Sequence, residues 1–131
     1  MARRAVALHD KWDADGIVIE VNQGGDLVAN TVRSVRANIK ICEVRASRGK
    51  HLRAEPVAAM YEQGRVHHCG AFNELETQMC MMTSAGYEGD ENESPDRLDA
   101  LVWGITELLP TLIRPIKQPT SYSIPEMQWA D

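Results

Sequence analysis

No uninterrupted apolar run in this 131-residue chain approaches the roughly 18 residues that a membrane span requires. The opening MARRAV carries arginines but is not followed by the apolar segment of a signal peptide. Cysteine is scarce. Cys42, Cys69 and Cys80 form an odd, widely spaced set, which argues against a disulfide framework and for a reducing compartment. Internal repeats and coiled-coil heptads are also missing. With 44% apolar and 25% charged residues the composition is globular. The expectation is one cytosolic, soluble domain, large enough to bury a single core but not two.

The net charge of −5 hides a segregation. Arg33, Arg36, Lys40, Arg45, Arg48, Lys50 and Arg53 face one acid, Glu43, in the same interval. Glu88, Asp90, Glu91, Glu93, Asp96 and Asp99 then follow with only Arg97 among them. The basic block suits phosphates and the acidic block suits cations. Two solvated surface patches would explain the same charges equally well.

Periodicity predicts a helix from Ala2 to Trp12, broken by Asp13-Ala14-Asp15-Gly16. A strand follows over Ile17–Asn22 and a helix from Asp26 to about Arg36. A second strand is expected over Ile39–Val44, then a helix over His51–Gln63, with Pro56 as an alternative start because proline is tolerated in a first turn. Gly64 ends that helix. Arg65–Cys69 reads as a third strand, Asn73 or Glu74 to Met82 as a short helix, and Glu88–Pro95 as an acidic loop. Ser94 is expected to cap a last helix from Pro95 to about Leu109. Four prolines between Pro110 and Pro125 mark residues 110–131 as a flexible tail beyond a domain of residues 1–109. Alternating strands and helices indicate an α/β layer structure with a largely parallel sheet, though three strands are few for one.

Glu20 interrupts the β-branched run GIVIEV, where a carboxylate is costly unless paired or bound to a metal. Asp96 and Asp99, in SPDRLDALVWG, share one face at a helix start. Apolar neighbours turn Asp99 toward the sheet, whereas the helix dipole alone could account for Asp96. Hard divalent cations need several such oxygens, and two metals about 4 Å apart can clamp a phosphodiester.

IVIEVNQGGDLV, VRASRGKHLRAEPVAAMYEQGRVHHCGAFNELETQMC and SPDRLDALVWGITEL, in that order, resemble the C-terminal nuclease domain of phage-type large terminase subunits over residues 2–109. The resemblance implies a three-layer RNase H-like fold and cleavage of double-stranded DNA with Mg²⁺ or Mn²⁺. It makes Glu20, Asp96 and Asp99 the catalytic and metal-ligating residues. It also implies a small terminase subunit and a portal or procapsid as partners, in a host-cell cytoplasm. An ATPase domain precedes the nuclease in that family, but no GxxxxGK[ST] occurs here. The initial three-stranded β-meander and its first catalytic Asp find no counterpart either. The expectation is therefore a partial nuclease domain that binds metal weakly and cleaves poorly alone, with a sheet edge open to homo-oligomerisation. A non-catalytic DNA-binding or self-associating module is the rival. An unrelated resolvase-type nuclease would share the acids but not RASRGKHLRAEPV.

Arg48, Lys50 and Arg53 are the candidates for DNA phosphate contacts, with Asn22 and Gln23 beside Glu20 as further ones. His67, His68 and Cys69 offer metal-ligand types, but neighbours on a strand point apart and no second ligand pair has zinc spacing. Trp12 and Trp103 are expected in the core.

Overall fold

A computed structural model describes residues 1–21, 26–90 and 93–110. Its elements run α1 (Ala2–Lys11), β1 (Ile17–Glu20), α2 (Asp26–Val35), β2 (Ile41–Val44), α3 (Lys50–Glu62), α4 (Asn73–Cys80), β3 (Met82–Thr83), β4 (Gly86–Tyr87) and α5 (Asp96–Leu108). Of the expected tail, residues 110–131, all but Pro110 lies outside the described residues, as do Asn22 and Gln23. No helix among the described residues is long and apolar enough to cross a membrane.

β1 and β2 pair in parallel, Ile17 opposite Ile41 and Glu20 opposite Val44. The ladder extends to hydrogen bonds from Ile17 N to Lys40 O and from Val21 N to Val44 O. Gly16 lets the strands close up here, since a Cβ on it would stand 2.9 Å from Lys40 O. Alternation then sorts the side chains. Ile17, Ile19, Val21 and Ile41 join Ala2 and Val6 of α1 and Val28 and Val32 of α2 in one apolar cluster. Val18, Glu20, Cys42 and Val44 therefore point to the opposite face. There α5 packs on β1, and Gly104 and Leu108 border a groove of about 570 Å³ with Val18 and Cys42.

A second cluster unites Ala54, Val57 and Met60 of α3 with Leu98, Val102 and Ile105 of α5, and with Leu75 and Met79 of α4. The single core expected from chain length is thus two apolar layers. A sheet covered on both faces divides its interior in this way. The mixed α/β arrangement of five helices and small sheets among the described residues is compatible with a partial RNase H-like fold.

Helix ends follow their local chemistry. Asp13 takes a left-handed φ of 47° after α1, so Ala14 N reaches His9 O and Asp13 N reaches Asp10 O. Gly64, at φ 64°, closes α3 in the same way, with Arg65 N on Met60 O and Gly64 N on Tyr61 O. Both are Schellman closures of orphan carbonyls.

Several expectations need correction. Arg65–Cys69 forms no strand; among the described residues no partner ladder lies beside it, and a strand without one leaves its backbone groups unpaired. The additional strands are instead a short antiparallel hairpin, β3–β4, too brief to leave a periodic signal. α3 begins at Lys50 and carries Pro56 in its interior. The hydrogen bond this denies to the Leu52 carbonyl falls where Leu52 is exposed. Trp12 is 71% exposed rather than core, with Lys11 Nζ over its ring. Ser94 does not cap α5 through its side chain.

Candidate functional site

The acidic residues singled out by sequence stand on two elements that face each other. Glu20 is the last residue of β1 and, by strand alternation, lies on the face toward α5. It is half-buried. Asp96 and Asp99 occupy the first turn of α5.

Asp99 is buried and meets two cations from the first turn of α3. Arg53 Nη2 donates to Asp99 Oδ1 at 2.6 Å. Lys50 Nζ stands 3.8 Å from Asp99 Oδ2 and 3.9 Å from Asp96 Oδ1, and donates to Ser94 Oγ at 2.9 Å. The Arg53 and Asp99 side chains are each 11% exposed, whereas Asp96 is 82% exposed. Arg53 Nη1 also donates to the Arg48 carbonyl at 2.7 Å. The guanidinium sits 4.8 Å over the Trp103 ring, where the aromatic quadrupole favours a cation. Arg53 Nε and Trp103 Nε1 are buried with no acceptor among the described residues.

Arg53, expected at a DNA phosphate, is therefore turned inward, because a buried carboxylate is the stronger attractor. Arg48 is exposed and Lys50 half-buried, so the remaining phosphate candidates border the site. Asn22 and Gln23 lie outside the described residues.

The start of α5 is held from another element. Gln78 of α4, itself buried, accepts on Oε1 from Arg97 N at 3.0 Å and Leu98 N at 3.2 Å. Two first-turn amides that have no intrahelical acceptor are thereby satisfied. Arg97 also pairs with Glu74 of α4. Nothing in the sequence signalled the role of Gln78 or the contact of Trp103 with Arg53, since both exist only once α3, α4 and α5 are packed together.

His67 and His68 diverge, as their adjacency suggested. His67 Nε2 meets Gly64 O at 2.7 Å. His68 lies between Tyr61 Oη and Glu76 Oε1, each at 2.8 Å. That hydrogen bond, with a second from Phe72 N, holds the Glu76 carboxyl below its usual range. Burial, and then the Glu76 charge, pushes the Tyr61 phenol up.

The Mg²⁺ or Mn²⁺ pair implied by the resemblance does not fit this donor set. Both Asp99 oxygens face cations, Asp96 points to solvent, and a hard divalent ion needs several converging oxygens. Among the described residues no three His, Cys, Asp or Glu side chains come together closely enough to hold a metal ion.

Searches of curated proteins and of solved structures find no match. The family model of the terminase RNaseH-like domain matches residues 1–108. That span takes in β1 with Glu20, the α3 cations and all of α5, so the carboxylates and their partners lie within the matched region. The chain belongs to the terminase RNaseH-like domain family.

Proposed function

We propose that this chain serves as the nuclease-type module of a viral large terminase subunit, acting on concatemeric double-stranded DNA during genome packaging. Its reaction class is phosphodiester hydrolysis dependent on Mg²⁺ or Mn²⁺, with Glu20 and Asp99 as the acidic residues and Asp96 as an auxiliary. Arg48 and Lys50 line the approach of DNA phosphates. A small terminase subunit and a portal or procapsid are the protein partners that this family membership suggests. The 131-residue chain by itself cleaves DNA poorly or not at all. The observation behind that last statement is the state of Asp99, whose charge is already matched by Arg53. Glu20 alone is not a ligand set for a divalent cation.

The test is cleavage of supercoiled plasmid with Mg²⁺ or Mn²⁺ by this chain, and by the same chain with any coding sequence found upstream, each beside its Glu20→Gln variant. Cleavage by the longer protein, abolished by the substitution, supports the reading. Fast cleavage by the 131-residue chain refutes the statement about its weakness. Absence of cleavage by either, in folded protein, refutes the nuclease role.

A second reading, a non-catalytic DNA-binding or self-associating module, draws on one feature of the sheet. Among the described residues β1 pairs only with β2, and the backbone groups of Val18 and Glu20 point away from it. An unpaired edge of this kind is a template for another strand. DNA retention and self-association that survive Glu20→Gln, without cleavage, would favour this module.

A further inference from the structure

We propose that the groove between the C-terminal half of α5 and the β1–β2 sheet is the seat of this chain's own residues 112–116, LIRPI. The occupant is intramolecular, and the domain then extends past the end of α5.

The first argument is the surface of the groove. It has a volume of about 570 Å³ and is bordered by Val18 and Cys42 from the sheet and by Gly104 and Leu108 from α5. Recesses of that size hold a ligand or inserted side chains. Leu109 turns into the apolar cluster of α3 and α5, whereas its neighbour Leu108 is 78% exposed at the groove. Covering apolar surface of this kind is favourable.

The second argument is Gly104. It stands inside α5, and glycine is the weakest helix former after proline. A Cβ placed on it would meet no atom of the described residues within 4 Å, so none of those neighbours requires the missing side chain. Room of this kind serves a chain laid directly against the helix.

The third argument fixes the occupant. The described residues end at Pro110, two positions after Leu108, and the stretch that follows, TLIRPIK, carries Leu112, Ile113 and Ile116. Ile113 is five residues past Leu108 and therefore within about 17 Å of it in any conformation. A tether this short holds the segment at an effective concentration in the millimolar range, far above that of a second copy in a micromolar solution. Charge agrees with this choice. Asp15 and Glu107 outnumber Lys40 at the groove, and residues 111–125 carry Arg114 and Lys117 without an acid.

The test is the rate at which a maleimide labels Cys42 in the full chain carrying Cys69→Ser and Cys80→Ser. A seated segment covers this thiol. Ile113→Asp/Ile116→Asp is therefore expected to raise the rate by about tenfold or more, as release of a protecting segment does. Thr120→Asp/Ser121→Asp, which adds the same charge farther along, is expected to leave the rate unchanged. Equal rates in the parent and in Ile113→Asp/Ile116→Asp, or an equal rise in both variants, overturn the proposal. So does protection of Cys42 that weakens on dilution, which would assign the groove to a second copy.

If Ile113→Asp/Ile116→Asp does not fold, Gly104→Ala decides, by thermal unfolding of the full chain. Alanine is the better helix former, so an empty groove predicts a higher midpoint. A seated segment predicts a midpoint lower by about 4 °C, because the added methyl displaces it. An unchanged or higher midpoint overturns the proposal.

Discussion

Arg53 Nη2 and Asp99 Oδ1, 2.6 Å apart, join the first turns of α3 and α5 across a separation of 46 residues. The contact lies beside the apolar cluster that Val57 and Met60 build with Leu98 and Val102. It sets the position of both helices at the end where the acidic residues lie.

Breaking this pair from either side should be costly. Asp99→Asn or Arg53→Met is expected to lower unfolding free energy by about 3 kcal/mol, the scale for removing one partner of a buried ion pair. The double variant Arg53→Met/Asp99→Leu should recover most of the loss, because no buried charge is then left alone. Urea titrations of the three proteins measure this, and additive losses in the double variant would contradict it.

Gln78 holds the start of α5 from outside that helix. Truncation in Gln78→Ala leaves the Arg97 and Leu98 amides without their acceptor and is expected to cost about 1–2 kcal/mol, the range for a lost helix cap. Amide hydrogen exchange at Arg97 and Leu98 should accelerate more than at the centre of α5. Uniform change along the helix would show that Gln78 acts only as packing.

Glu20 should behave in the opposite way toward stability. Its side chain has no ion pair or hydrogen bond among the described residues, so Glu20→Gln is expected to alter unfolding free energy by less than about 0.5 kcal/mol. In a protein that cleaves DNA the same substitution should abolish cleavage. A large loss of stability would instead give Glu20 a structural role.

The pH dependence of stability has a definite sign at Glu76. Its carboxyl is held below the usual glutamate range, first by the His68 hydrogen bond and next by that from Phe72 N. A group whose folded pKa is depressed contributes stability above its unfolded pKa, and the contribution disappears as pH falls through the folded value. Asp10 adds to the same acid limb, chiefly through its His9 hydrogen bond. Tyr61 has the reverse sign: its raised pKa contributes stability below pH 10.0 that is lost as pH rises through the folded value. Glu76→Gln should flatten the acid limb of a stability–pH curve measured by urea unfolding. An unchanged limb would place the acid sensitivity elsewhere.

Much of the fold was legible in the sequence because it follows from local rules. The apolar period of α2 and α5, the β-branched runs of β1 and β2, and Gly64 after α3 each act within a few residues of chain. The three ordered blocks pointed to the terminase nuclease family, and the match over residues 1–108 agrees. Glu20 was conspicuous because a carboxylate in an apolar run contradicts its surroundings. Apolar neighbours also marked Asp99 as turned toward the sheet and away from solvent; it is buried, but against Arg53 of α3.

What the sequence could not determine depends on distant partners. Arg65–Cys69 has strand composition but, among the described residues, no strand beside it, and a strand exists only through its neighbour. Arg53 and Lys50 belong to one basic block, yet packing of α3 on α5 buries Arg53 against Asp99 and leaves Lys50 at the rim. Their residue types are nearly equivalent in charge, so only tertiary contacts could assign them different tasks. Residue type and short spacing determined which side chains were candidates for chemistry. The approach of α3, α4 and α5 decided which of them meet, because burial and ion pairing are properties of the packed chain.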